Sequence, residues 1–226
     1  MEISFLSILA LGFVLGIKHA IEPDHVIAVS TIASQSKKLL RSSLAGVFWG
    51  IGHTATLFLV GIILIFMKGE IPEKWAMSLE FLVGIMLVYL GIATILSLKK
   101  IRMHQHTHDG KIHKHNHQHK NVSYLKSMLI GFIHGLAGSG AMVLLTMSTV
   151  NSPWEAAVYI FIFGAGTVLG MLLFTTVIGI PFVFSAKKLS MNKMLTQITG
   201  VISTVFGIYY MYNLGVTEGL FKLWIQ

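Results

Sequence analysis

His19, Asp24 and His25 stand close together in the chain, a histidine followed after four residues by an Asp-His pair, with apolar sequence on both sides. Imidazole nitrogens with one carboxylate suit Ni²⁺, Co²⁺ or Zn²⁺ and fit Mg²⁺ or Ca²⁺ poorly. On an intact helix, at about 100° per residue, His19 and His25 point about 120° apart and cannot easily share one ion. Pro23 lies between them. It removes a backbone donor and crowds the preceding turn, so unwinding there lets the three side chains converge. His53, in the next apolar run, is a natural further ligand, and His134 in the second half is available as another. Glu22 adds a second carboxylate beside the proline. Ionisable groups inside a bilayer are expensive and mark function.

Each of these residues also has a plainer reading. Asp24 can cap the helix that resumes at His25. Glu22 and Lys18, four apart, can form a local ion pair. His53 and His134 can each be packing histidines bonded to a neighbouring helix, and the glycine-rich run 135–140 can be a close helix–helix contact.

A second group of candidate ligands is His104, His106, His108, His113, His115, His117 and His119, alternating with polar residues over sixteen positions. Such a tract has no apolar face to bury, so disorder without metal is expected. It will bind transition metals, either incidentally as a solvated loop or as an auxiliary buffer at the cytoplasmic mouth of a transport path. The chain has no cysteine, which excludes thiolate nucleophiles, disulfides and soft sulfur cages.

The elements that must position these donors are membrane helices. Of 226 residues, 54% are hydrophobic and 12% charged, with a mean hydropathy of +0.74; an ordinary soluble domain carries about a quarter charged residues. That balance argues against a water-soluble enzyme. Apolar runs at 3–33, 44–67, 77–98, 127–150, 156–184 and 197–214 predict six spans. The first is broken in its middle, and lacks the basic start and small-residue cleavage site of a signal peptide. Glu80 is expected in the first turn of the third span, near the headgroups. Residues 215–226 are too short to cross and read as an interfacial tail. Thirteen Lys and Arg fall in the connections after spans one, three and five, against three in the other connections and the tail. The positive-inside rule puts the first set in the cytoplasm. Both termini then lie outside and the histidine tract inside. The formal charge of +8 becomes a topology label, and no nucleic acid is needed to explain it.

The two halves share a faint duplication with a period of about 115 residues. Gly16-Ile17-Lys18-His19 parallels Gly131-Phe132-Ile133-His134, Gly50 to Thr54 parallels Gly164 to Thr167, and Gly84 and Gly91 parallel Gly200 and Gly207. Units of three spans must enter the membrane from opposite sides. The expected fold is therefore an all-α, polytopic membrane protein, six transmembrane helices as a 3+3 inverted repeat with broken first and fourth helices, an architecture common in secondary transporters. The units are 1–98 and 127–214, separated by a cytoplasmic histidine-rich loop at 99–126 and followed by the tail at 215–226.

The stretch Gly16 to Ala28, with His19, Asp24 and His25, resembles the signature of the nickel/cobalt transporter superfamily. Phe48 to Thr54 resembles the family's second block, a Gly-His-Ser/Thr in the next helix, and Gly131 to Met142 resembles its short, urease-accessory-like members. The resemblance implies metal recognition by His19, Asp24 and His25, with His53 contributing. Longer members have eight spans and carry acidic residues where this chain has Ala137-Gly138-Ser139-Gly140, so here the second half supplies less charge to the cation.

These readings combine into a secondary transporter of Ni²⁺ or Co²⁺ in the plasma (inner) membrane, with the ion as substrate and no prosthetic group. Uptake is favoured because the Asp-His form of the motif resembles importers. Protonation of histidines near pH 6 competes with metal, so uptake should weaken in acid. Its partners are the lipid bilayer, the metal ions and, on the inner side, cytoplasmic metal-delivery proteins. The alternatives are a nickel/cobalt exporter for metal resistance and an intramembrane metalloenzyme. The latter lacks support: there is no His-Glu-x-x-His and no nucleophile–base pair. No phosphate-binding loop of the Gly-x-x-x-x-Gly-Lys-Ser/Thr type is present, so ATP hydrolysis is not expected.

Overall fold

Apolar residues that surround a helix rather than striping one face produce helices meant for lipid or for a core, and the described chain is helical throughout. The computed structural model describes residues 5–67, 71–99, 123–149 and 152–225, of which 67, 99 and 138–149 by backbone alone. The histidine tract at 104–119 lies outside the described residues. The helices are α1 (Phe5–His19), α2 (Pro23–Ala33), α3 (Leu39–Met67), α4 (Glu73–Lys99), α5 (Tyr124–Thr149), α6 (Pro153–Ser185), α7 (Leu189–Tyr212) and α8 (Leu220–Ile225), with a π-helical turn, Asn213–Thr217, before α8.

Among the described residues, α3, α4, α6 and α7 (extended by the π-helical turn) are long and apolar enough to cross a membrane, and α1 with α2 passes as a fifth, bent span. Of α5, residues 124–137 count as a shorter apolar helix. The outward faces carry large apolar side chains; Leu6, Phe66, Trp154 and Phe184 are each more than 70% exposed. A soluble monomer does not display apolar surface on this scale, and lipid accounts for it.

The sequence explains where the helices begin and end. Ile21 and Glu22 donate backbone N–H groups to the carbonyls of Lys18 and His19, so the last turn of α1 tightens to three-residue bonds. Pro23 then starts α2 as its first residue, where a missing N–H costs nothing, and the two axes are bent by 57°. At α6, Ser152 Oγ accepts the N–H of Glu155 at 3.2 Å and Pro153 follows it, a good start signal. By contrast, α5 runs unbroken from Tyr124 to Thr149, so the break expected over 135–140 does not occur. Gly135 instead brings α5 against α3, where a Cβ would meet the backbone of His53 and the side chain of Thr56. Close packing, the plainer reading of that glycine, is the one realised.

α3 lies between α5 and α6, α1 packs on α6, and α4 packs on α7. These contacts are made through backbone. A Cβ at Gly16 would strike the carbonyl of Phe163, and one at Gly166 the carbonyl of Phe13. In the α3–α5 pair, Gly131 lies against the carbonyl of Trp49 and Gly52 against that of Met128. Each residue of the second set stands about 115 positions from its counterpart in the first, with the roles of the helices exchanged. The antiparallel α4–α7 pair obeys the same rule, with Gly84 against Gly207 and Gly91 against Gly200. Behind α8, Leu220 is buried with Met77 and Leu214, and the Trp224 indole N–H donates to Ser78 Oγ at 3.0 Å.

Candidate metal site

The break between α1 and α2 does what the spacing of the motif requires. His19 is the last residue of α1, and Asp24 and His25 lie in the first turn of α2. Their rings meet: His19 and His25 have centroids 4.5 Å apart. α3 brings His53, 5.2 Å from His19 and 5.1 Å from His25. α5 brings His134, 4.2 Å from His25. Four helices thus deliver four imidazoles and a carboxylate to one place. His25, His53 and His134 are buried.

The hydrogen bonds set the ring orientations. His19 Nδ1–H donates to Glu22 Oε2 at 2.9 Å, which leaves Nε2 bare, 3.1 Å from His53 Nε2. A carboxylate behind an imidazole fixes its tautomer and aims its lone pair. Asp24 receives two imidazoles, His134 Nε2–H on Oδ2 at 3.0 Å and His25 Nδ1–H on Oδ1 at 3.3 Å. It does not cap α2, whose N-cap is Glu22 without a side-chain bond, and Glu22 bonds His19 where the sequence suggested Lys18. Three imidazole nitrogens, His25 Nε2, His53 Nδ1 and His134 Nδ1, are buried with no hydrogen-bond partner among the described residues. Leaving a polar atom so costs about 1–3 kcal/mol, a cost that a ligand of these donors would offset. The donor atoms fall into two groups of three, His19/His25/His53 and Asp24/His25/His134, each within 4.8 Å.

A cavity of about 330 Å³ opens onto the cluster. It is reached past Glu22, half exposed, and His19, 15% exposed, whereas the side chains of His25 and His134 are almost fully covered. Two wall residues were not expected from the sequence. Glu80 lies seven residues into α4, which starts at Glu73 rather than at 77, and lines the cavity. Tyr210 of α7 donates its hydroxyl to Glu80 Oε2 at 3.4 Å. Trp49, wholly buried, stacks on His25 with an interplanar angle of 15° and backs the site. An acid inside an apolar helix was the available signal for Glu80; nothing in the spacing pointed to Trp49 or Tyr210.

Apolar helices around a buried cluster of imidazoles and a carboxylate define a multi-pass membrane protein whose clustered donors could hold a transition-metal ion. The family described as cytochrome C biogenesis protein transmembrane region matches residues 27–209. The urease accessory protein UreH of a Bacillus species is 66% identical over 229 residues, covering all of this chain and 99% of that protein. A Methanocaldococcus jannaschii protein named for nickel/cobalt efflux is 28% identical over 210 residues, 88% of this chain and 89% of that one. The "Chloroplast protein FOR GROWTH AND FERTILITY 1" of Arabidopsis thaliana is 24% identical over 210 residues, 87% of this chain and 56% of that protein. No solved structure matches. The chain belongs to this transmembrane family and, with UreH at 66% identity, fits a nickel/cobalt-transporter-like family. Its sequence holds no cysteine, so it has no thiol or disulfide chemistry of its own.

Proposed function

We propose that the protein carries Ni²⁺ or Co²⁺ through the membrane as its substrate, using His19, Asp24, His25 and His53 as ligands with His134 joining from α5. The observation that supports this most is the convergence of five metal-capable side chains from four helices on one cavity. Glu22, bonded to His19, acts behind the ligands as an orienting carboxylate. The names of the relatives point the same way, towards urease accessory and metal transport proteins rather than enzymes. Nickel delivery towards a cytoplasmic acceptor fits the first of these names, so we favour uptake. The direction of the charge bias agrees: inward movement of two charges gains about 4.6 kcal/mol at 100 mV.

In this reading the units are 1–98 and 127–214, arranged as an inverted repeat of three spans each, with α5 as the fourth span. The exchanged glycine contacts of α1–α6 and α5–α3 support the repeat. The distribution of Lys and Arg supports a cytoplasmic 99–126 loop and external termini, with His104, His106, His108, His113, His115, His117 and His119 as an auxiliary metal buffer.

Efflux is the second reading, favoured by the name of the archaeal relative. Radiolabelled nickel and cobalt flux in right-side-out and inverted vesicles separates the two. Uptake is expected in right-side-out vesicles, with His19→Ala inactive and deletion of 104–119 slowing but not stopping it. Accumulation only in inverted vesicles would establish export, and unchanged flux in His19→Ala would sink the ligand assignment.

A further inference from the structure

The five donors do not surround one point. They form two three-donor groups that share a single residue, His25. His19 and His53 lie on one side of it, in Nε2–Nε2 contact at 3.1 Å. Asp24 and His134 lie on the other, bonded to each other at 3.0 Å. Metal–nitrogen bonds run to about 2.0–2.1 Å, so donors of one ion stand about 3.4 Å apart in a tetrahedron. The His19–His53 pair at 3.1 Å and the Asp24–His134 pair at 3.0 Å are near that spacing, and all donors of each group lie within 4.8 Å. His25 has a nitrogen for each neighbourhood: Nδ1 faces Asp24, and Nε2 is buried with no partner.

The two groups also differ in origin. His19 and His134 stand 115 residues apart, the same offset that relates the glycines Gly16 and Gly131 packing α1 on α6 and α5 on α3. Each group therefore contains one of two equivalent histidines. Their exposure is unequal: the His19 side chain is 15% exposed at the cavity and that of His134 is 3% exposed.

We propose that the site has two adjacent cation positions, occupied one at a time, with His25 as the ligand common to both. The inference rests on the metal-transport reading above and adds how the ion moves within the site. The ion first binds His19, His25 and His53 from the cavity. It then moves to Asp24, His25 and His134, exchanging two nitrogens for one nitrogen and one carboxylate oxygen; the Asp24 hydrogen bonds to His134 Nε2 and His25 Nδ1 break, and each ring's proton shifts to its other, unpartnered nitrogen. His25 presents Nε2 to the first position and Nδ1 to the second, so its ring stays beside the cation throughout the transfer and the ion passes directly from one nitrogen to the other.

The test is equilibrium binding of radiolabelled nickel to the purified full-length chain in lipid nanodiscs, paired with flux in proteoliposomes. One ion per wild-type chain is expected. His19→Gln and His134→Gln should each keep binding to within about tenfold, because the other position survives, while the double variant and His25→Gln lose about a hundredfold or more. Flux should be lost in all four. Equal loss of binding in either single variant and in His25→Gln would overturn the two-position scheme in favour of one shared site. Size-exclusion profiles and helix content show whether each variant is folded. The cobalt absorption spectrum supplies a second readout. Cobalt held in His134→Gln by three imidazoles should differ from cobalt held in His19→Gln by two imidazoles and a carboxylate, and identical spectra would also overturn the scheme. A wild-type chain that binds neither metal would instead remove the transport reading itself.

Discussion

The α1–α2 pair and α5 pack on their neighbours in the same manner yet treat their histidines differently. Gly16 and Gly131 both bring a helix onto a partner's carbonyl, at Phe163 and Trp49. His19 and His134 both follow three residues later and both reach the cluster. But α1 stops at His19 and restarts with a bend of 57°, whereas α5 continues to Thr149. The residue 115 positions beyond Pro23 is Gly138, which keeps its N–H and can remain helical. The difference teaches that glycine sets the approach and proline sets the break. Of the two elements, only the broken one contributes acids: Glu22 bonds His19 and Asp24 bonds His134, so α5 relies on the α1–α2 break for the carboxylate beside its histidine.

The largest test of this contrast removes that charge. Asp24→Asn leaves the size of the side chain and the helix intact, and we expect nickel flux in proteoliposomes to fall about a hundredfold, at the upper end for loss of a metal-site partner; retention of flux would show that the acid-free α5 side is sufficient. Pro23→Ala makes α1–α2 resemble α5. A proline within a helix costs about 3 kcal/mol, and its removal favours a continuous helix that swings His25 away from His19. Metal affinity should drop by about tenfold while thermal stability holds or rises, measured by nickel binding and a melting curve. Unchanged affinity would show that residues 20–22 hold the bend without the proline.

Packing provides a more even comparison. Gly16→Leu and Gly131→Leu should each destabilise by about 1–3 kcal/mol through overpacking, seen as matched losses in detergent melting temperature. A clear inequality would mean that the two contacts are less equivalent than their geometry suggests. The smallest effect belongs to Glu80→Gln. Glu80 lines the cavity and is hydrogen-bonded to Tyr210 rather than to a histidine, so half-saturation for nickel should rise a few-fold with the maximal rate unchanged. A fall in maximal rate would move Glu80 into the transfer path.

Much of the site was legible because its chemistry is rare where it occurs. Two histidines and an aspartate around a proline, within apolar sequence, leave few inexpensive explanations, and the break follows from the missing N–H of Pro23. Six apolar runs were equally plain, since hydropathy needs no knowledge of neighbours. What was not legible depends on which faces meet. In a helix apolar all round, no periodic stripe identifies the inner side, so Trp49 and Tyr210 looked like any other membrane aromatics. The position of Glu80 near the start of an apolar run says nothing of the face it takes; α4 begins earlier, right after Pro72, and Glu80 lines the cavity. The glycines of 135–140 were ambiguous in principle, as glycine serves both breaks and close contacts.

The bend at residues 20–22 also arranges two opposed dipoles. α1 ends at His19 with its carbonyls leading, the negative pole of a helix, while α2 begins at Pro23 with its N–H groups leading, the positive pole. A cation on His19 is drawn towards the first pole. The carboxylate of Asp24 is stabilised by the second, which at the same time weakens the hold of that carboxylate on a metal. Each effect is small, about 0.3–1 kcal/mol, but they act in one direction. If the protein carries a metal through this cluster as proposed, a helix broken at this point would attract the ion on arrival and loosen its acidic ligand on departure.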